Sequence, residues 1–388
     1  MDKIKKIKIC VFTIHPVKDL RIFNRQCHSF VKQGWEVTLI GISEKEGEYY
    51  DDGVKVIGIK KWKSGWGRAK TVFRIAYLAY KQKSDIYHFH DFDLLIPAVF
   101  VKFFSCKPII YDMHEFYWIN IPYRQLPNIW PLRQIASVFI WLIETFFGLL
   151  CRNISGVCEK LIRRFEKLGC RTVLTTNFAS IEDFVPIEIS DELWEQRHKK
   201  VIFTGTLDPS RGSLILLDIA KETRKRCPDI EFYVTRRFLS SFQEETMMKK
   251  MSSEEYKDVI RFIPNVSGKE LPQVVRQGGI ALSPIQDVGQ NQIAIPTKFF
   301  EYMSQAVPII ASDLPPSRKF VSSEGCGILV KADVVEQYVD AIIKLADNPD
   351  LAREMGRKGQ RAFVEKYNWS IVEKRLLAFY DSIMKKQI

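Results

Sequence analysis

The 388-residue sequence has no C-x-x-C pair and no zinc-ligand spacing, and its 8 cysteines lie scattered. That pattern excludes a disulfide framework and a structural zinc site, and it predicts reduced thiols in a cytoplasmic protein. The opening residues, Met1-Asp2-Lys3-Ile4-Lys5-Lys6, are basic and run straight into a short strand-like stretch, with no long apolar run and no small-residue cleavage site. Secretion is not expected from them. No segment has the composition of a disordered tail, because 46% hydrophobic and 27% charged residues are ordinary for a folded chain. An arginine-rich arm and the basic-aromatic pattern of an RNA-binding sheet are also absent, which argues against a nucleic-acid partner.

Positive charge is what the sequence has in excess. A net +12 calls for an anionic partner, either a phosphorylated ligand or an anionic membrane surface. Residues 129–150 are apolar over about the length of a membrane span and carry Trp130, Phe139, Trp141, Phe146 and Phe147. Arg133, Gln134 and Glu144 interrupt the run. A span would bury Glu144 in hydrocarbon, so the segment reads as a core helix with one wet edge, with contact to a membrane interface as the alternative.

The chain is long enough for two domains, each able to bury its own core. In the first half, short apolar runs at 7–12, 36–42, 86–89, 108–111 and 172–177 alternate with helical patterns. The rhythm predicts an α/β fold with a parallel sheet. A polar stretch at 182–200 with few periodic apolar positions reads as the linker. Beyond it the rhythm restarts at 201–204, 231–235, 259–263, 280–282 and 308–311, and an amphipathic helix over 369–386 closes the chain. The predicted domains are 1–185 and 198–366, followed by the helical segment 367–388.

Four strings carry chemistry. In Asn291-Gln292-Ile293-Ala294-Ile295-Pro296-Thr297-Lys298-Phe299-Phe300-Glu301 a loop enters a helix at Pro296 and Thr297, so backbone N–H groups face any anion there. Lys298 adds charge, and the Glu301 carboxylate can accept from two adjacent ribose hydroxyls. In Val201-Ile202-Phe203-Thr204-Gly205-Thr206-Leu207, followed by Arg211, a glycine at the strand end permits close approach to phosphate and a guanidinium can clamp it. Histidines and carboxylates sit just beyond strand ends at His88, His90, Asp91, His114 and Glu115; a buried strand-end role is preferred for His88. The loop after the first strand holds His15 and Arg21, and Arg21 either faces a ligand or pairs with Asp19. Asp91-Phe92-Asp93 imitates a metal triplet, but acidic residues after a strand also cap the next helix, and no metal is expected.

Together these strings resemble glycosyltransferase family 4. The resemblance implies the GT-B fold, two Rossmann-like doubly wound domains facing across a cleft, with the closing helix crossing back to the first domain. It implies sugar transfer from a nucleotide-sugar, which serves as co-substrate with no further cofactor, to a saccharide or lipid-linked acceptor with retention of configuration, in cell-surface polysaccharide synthesis. Gly205, Thr206, Arg211, Arg236, Asn265, Asn291, Pro296, Thr297, Lys298 and Glu301 become donor-binding residues. His114 and Arg211 become catalytic, and His15, Arg21, His90 and Asp91 line the acceptor side. The sequence departs from the family at Thr206, where arginine is common, and at Ile293, where a first glutamate is usual. Arg236 or Arg237 is expected to supply the missing cation. A nucleotide-sugar 2-epimerase and a non-catalytic nucleotide-sugar binder are the rival readings.

Overall fold

The computed structural model describes residues 6–119, 129–266 and 268–385; the basic residues 1–5 and Lys386 of the closing helix lie outside them. The chain forms two compact units, Met1–Asn177 with Ile371–Ile388, and Phe178–Ser370.

The first unit contains β1 (Lys8–Pro16), β2 (Glu36–Ile42), β3 (Gly47–Asp51), β4 (Val54–Ile59), β5 (Ile86–His90), β6 (Ile109–Met113), β7 (Arg152–Gly156) and β8 (Arg171–Leu174). They form one sheet in the order β3-β4-β2-β1-β5-β6-β7-β8. All neighbours are parallel except β3 and β4. Every residue of β5 and β6 is buried, as strands covered on both faces must be. The antiparallel pair turns through Asp52 and Gly53, whose φ values of 46° and 81° suit a tight hairpin.

The second unit contains β9 (Lys200–Phe203), β10 (Glu231–Thr235), β11 (Arg261–Ile263), β12 (Ile280–Ser283), β13 (Ile309–Ser312) and β14 (Gly327–Val330). Their order is β11-β10-β9-β12-β13-β14, all parallel. Each sheet reverses its strand order once, between β1 and β5 and between β9 and β12. There the loops diverge to opposite faces and leave a crevice at the carboxyl ends of the strands, where ligands of doubly wound folds bind.

Two expectations need correction. The stretch 182–200 is not a free linker but part of the second unit. Gln305 Nε2 donates to the Val185 carbonyl at 3.1 Å, and Gln360 Nε2 donates to that of Ile187 at 2.8 Å. Trp194, on the helix Asp191–Arg197, is buried in the second unit's core. Polar anchoring of backbone leaves no hydrophobic period, so the sequence hid it. The helix Trp130–Cys151 is not a core helix either: Glu144, Thr145, Gly148 and Cys151 are buried, while Trp130, Ile135, Phe139 and Phe146 are exposed. Glu144 points inward, accepting from Tyr111 Oη at 2.9 Å and from Arg164.

The last helix, Trp369–Met384, places Tyr380 Oη 2.6 Å from His88 Nδ1. His88 is thereby fully buried, with its other ring nitrogen 3.3 Å from Asp112.

Candidate functional site

In the second unit a cavity of about 480 Å³ opens at the reversal between β9 and β12. Its floor begins at the end of β9. Tyr302 Oη accepts from Thr204 N at 2.9 Å, and Thr235 Oγ1 bridges Gly205 by accepting from its N–H at 3.0 Å and donating to its carbonyl at 3.1 Å. Gly205 has φ of 110°, a region closed to side chains with a Cβ. Gly212 shapes the same loop, since a Cβ there would lie 2.1 Å from the Pro284 carbonyl oxygen. The β9 and β12 loops are therefore locked together in close contact.

The wall opposite comes from the segment 290–301. Pro296, Thr297, Lys298 and Glu301 line the cavity at the start of the short helix Lys298–Ser304. Thr297 makes no side-chain cap bond to that helix, so its hydroxyl is not spent on the helix end. Lys298 is the telling residue. It is buried, its Nζ lies 4.0 Å from the centroid of the Phe203 ring, and it has no hydrogen-bond partner among the described residues. Burial, with the Arg211 charge beside it, lowers its pKa to about 7, against some relief from Glu301. An ammonium held in this way loses free energy until an anion arrives.

The first unit concentrates four of the chain's six histidines near the reversal between β1 and β5. His15 Nε2 lies 2.7 Å from Asp91 Oδ1, while Thr13 Oγ1 and Ile14 N donate to Asp91 Oδ2 at 2.8 and 3.1 Å. The hydrogen bond to Asp91 raises the His15 pKa to about 9, so its imidazole is protonated at neutral pH. Burial pushes the Asp91 carboxyl up, but His15 outweighs it and holds the group below the usual range. Asp91 sits at φ of 82°, strained for a residue with a Cβ. Beneath it, Arg21 Nη2 donates to Asp112 at 2.8 and 3.0 Å, and Gln26 Nε2 adds a third bond at 2.6 Å. His90 Nδ1 lies 3.2 Å from His114 Nε2. Burial lowers the pKa of both rings, that of His90 well below its ordinary value.

The second-unit cavity brings together Gly205, Thr206, Arg211, Asn265, Asn291, Pro296, Thr297, Lys298 and Glu301. Four assignments are corrected. Arg236 is bound to Glu244 at 2.7 and 2.9 Å, and Arg237 lines the cavity instead. The carbonyl of Arg237 accepts from Leu207 N at 2.7 Å, which holds it beside Thr206. Arg21, His90 and Asp91 present no surface to an acceptor, since all three are buried; Arg21 pairs with Asp112, not with the Asp19 side chain, which accepts from Arg21 N and Ile22 N. Asn291 is narrowed: its amide nitrogen donates to the carbonyls of Ser210 and Gln286 at 2.9 and 3.0 Å, leaving only its oxygen for a ligand. Sequence reasoning missed Thr235, Tyr302 and Asp112, whose roles depend on strands far away in sequence.

Among the described residues two groups have ligand atoms close enough to share an ion, His15 with Asp91 and His114, and His88 with His90 and Asp112. In the second, the Arg21 guanidinium already occupies the carboxylate. Asp93, the other acid of the apparent triplet, pairs with Arg68 at 2.9 Å, so the triplet does not converge.

The two sheets, each reversing order once, define a GT-B architecture. Residues 186–362 match the family model described as Glycosyl transferases group 1. The chain is 24% identical over 251 residues to a phosphatidyl-myo-inositol mannosyltransferase of Mycolicibacterium smegmatis, a match covering 64% of this chain and 61% of that one. The chain thus spans about three fifths of the curated mannosyltransferases it matches. Among solved structures, sucrose-phosphate synthase from Thermosynechococcus elongatus superposes with a TM-score of 0.75 at 14% identity, covering 98% of this chain and 100% of that one. Anabaena HepE in complex with UDP gives 0.69 at 12% identity, with 97% and 100% covered. At such identities the structures share the fold.

Proposed function

We propose that the chain is a retaining glycosyltransferase of the family 4 kind, moving a sugar from a UDP- or GDP-sugar onto a saccharide or lipid-linked acceptor in surface-polysaccharide synthesis. The observation that carries this reading is Lys298, a buried amine with no hydrogen-bond partner among the described residues, facing a cavity that also holds Arg211. A nucleoside diphosphate supplies the missing negative charge. Relatives that act on phosphatidyl-myo-inositol or cellobiosyl-diphosphopolyprenol support a lipid-linked acceptor.

In this reading Glu301 accepts from the ribose hydroxyls, and Lys298, Arg211 and Arg237 hold the diphosphate. The bond between the anomeric carbon and the phosphate oxygen breaks as the acceptor oxygen bonds to that carbon, and the acceptor proton passes to the departing phosphate. Charge growing on the leaving group is stabilised by cations already in place. The positive charge comes from the protein, with no metal or further cofactor assigned. His114, neutral at pH 7, positions and polarises. His15, already protonated, serves as a donor to the acceptor rather than as a base. The protein works in the cytoplasm.

Thermal shifts with UDP, GDP, ADP and their sugars test the donor site, because a ligand that binds only the folded state raises its stability. One nucleotide class should stabilise the protein, and Lys298→Met and Glu301→Ala should each abolish that shift. Stabilisation by none of them overturns the reading. Conversion of free nucleotide-sugar without any acceptor would favour an epimerase instead.

A further inference from the structure

The outer surface of the first unit carries a feature that sugar transfer does not use. The helices Gly65–Lys81, Leu95–Ser105 and Trp130–Cys151 lie side by side on one face of the sheet. Each buries its inner side: Val72, Ile75 and Ala79 on the first, Leu95 and Ala98 on the second, Gly148 and Cys151 on the third. Their outer sides are apolar as well. Trp66 is 90% exposed, Phe104 72% and Trp130 73%, with Phe73, Phe100 and Phe139 exposed among them. The rings of Tyr80 and Phe104 lie 6.3 Å apart and join the first helix to the second. An apolar surface carried across three elements marks an interaction site.

Charge identifies the occupant. The three helices contain a single acidic residue, Glu144, and it is buried against Tyr111 and Arg164. Residues 61–83 hold seven lysines and arginines and no acid, and Lys70 and Arg74 are exposed beside Phe73 and Tyr77. Two copies of such a face would repel one another, whereas an anionic bilayer complements it. The third helix is long and apolar enough to cross a membrane, but its place in the fold forbids that. It links β6 to β7, parallel neighbours in one sheet, and its Glu144 is bonded to Tyr111 on β6. Crossing would tear it from the sheet and carry a carboxylate into hydrocarbon.

We infer that these three helices form a docking face by which the first unit lies on an anionic lipid surface, aromatic side chains in the interface and Lys70 and Arg74 over the headgroups. The inference stands apart from the donor site and holds whichever sugar is moved. The full chain is sedimented with vesicles of phosphatidylcholine alone and of phosphatidylcholine mixed with phosphatidylglycerol. Binding is expected to the mixed vesicles only. Lys70→Glu with Arg74→Glu should weaken it at least about 25-fold, from about fivefold per lost cation, and Phe73→Ser with Phe104→Ser should weaken it by about tenfold or more. All four positions are exposed, and the nucleotide-induced thermal shift reports separately that each variant is folded and its donor site intact. Absence of binding to the mixed vesicles, or binding that both variants retain, overturns the inference. So does a dimer in sedimentation equilibrium that the aromatic substitutions convert to monomer, which would make the face a contact between copies.

Discussion

The two sheets reverse at equivalent places, yet the chemistry gathered at the two reversals is opposite in character. In the first unit the charged groups answer one another: Arg21 meets Asp112, and His15 meets Asp91. In the second, Lys298 is buried with no hydrogen-bond partner among the described residues. A paired cluster holds its surroundings in one conformation, while a buried cation without a partner is stable only when something else brings the counter-charge. The first reversal is thus largely finished by folding, and the second is finished by a ligand.

Breaking the finished side should have the largest effect. Asp112→Asn leaves the Arg21 guanidinium buried without its carboxylate, and loss of one partner of a buried pair costs about 3 to 5 kcal/mol. Urea unfolding of the variant should show that loss. Replacing both partners, Arg21→Met with Asp112→Leu, should cost much less than the single change. Equal losses would mean that the pair does not hold the cluster.

On the unfinished side the loss falls on turnover. Arg211→Ala removes a contact to the leaving diphosphate, worth about 2.7 to 4 kcal/mol of transition-state stabilisation in a comparable oxyanion site. Turnover should fall about a hundredfold or more with little change in melting temperature. Lys298→Met separates the two sides most sharply. It deletes a buried amine that has no hydrogen-bond partner among the described residues, so the unliganded protein should melt at a higher temperature while losing its response to nucleotide. Because the Lys298 pKa is depressed to about 7, the wild-type protein without ligand gains stability as pH rises from about 7 towards the ordinary lysine value, and the variant lacks that gain. A lower melting temperature for the variant would mean that Lys298 is already satisfied.

The sheets were legible because parallel strands buried on both faces read as short apolar runs, as at Ile86–His90 and Ile109–Met113. The hairpin of β3 and β4 went unread although Asp52-Gly53 signals a turn, because Gly47–Asp51 has no buried face. The donor loop was legible because Gly205, Arg211, Lys298 and Glu301 stand in local strings that the fold brings together intact. Arg236 and Arg237 could not be told apart, since adjacent extended residues point to opposite sides and only the pairing with β11 and the loop at Leu207 fixes which one meets the cavity. Locally Arg21 can face a ligand or pair with Asp19, two residues away, whereas its partner Asp112 lies 91 residues on. The apolar helix misled for a related reason: composition records how greasy a helix is, and not which side the rest of the fold covers.

The smallest effect probes a part of the finished side that is still open to solvent. The His15 side chain is 43% exposed, so solvent screens its bond to Asp91 and only a modest contribution is expected. The sign follows from the direction of the shift. Pairing raises the folded pKa from 6.5 to about 9, so the folded state holds a proton that the unfolded chain releases first. The stabilisation is fully present below about pH 6.5 and is lost as pH climbs through about 9. Asp91, held below the usual carboxylate range, stays ionised throughout that window and does not obscure it. The stability difference between wild type and His15→Gln should therefore shrink steadily from pH 6.5 to 9. A difference that stays constant would mean that His15 and Asp91 share no titrating proton, and the first reversal would then owe its closure to Arg21 and Asp112 alone.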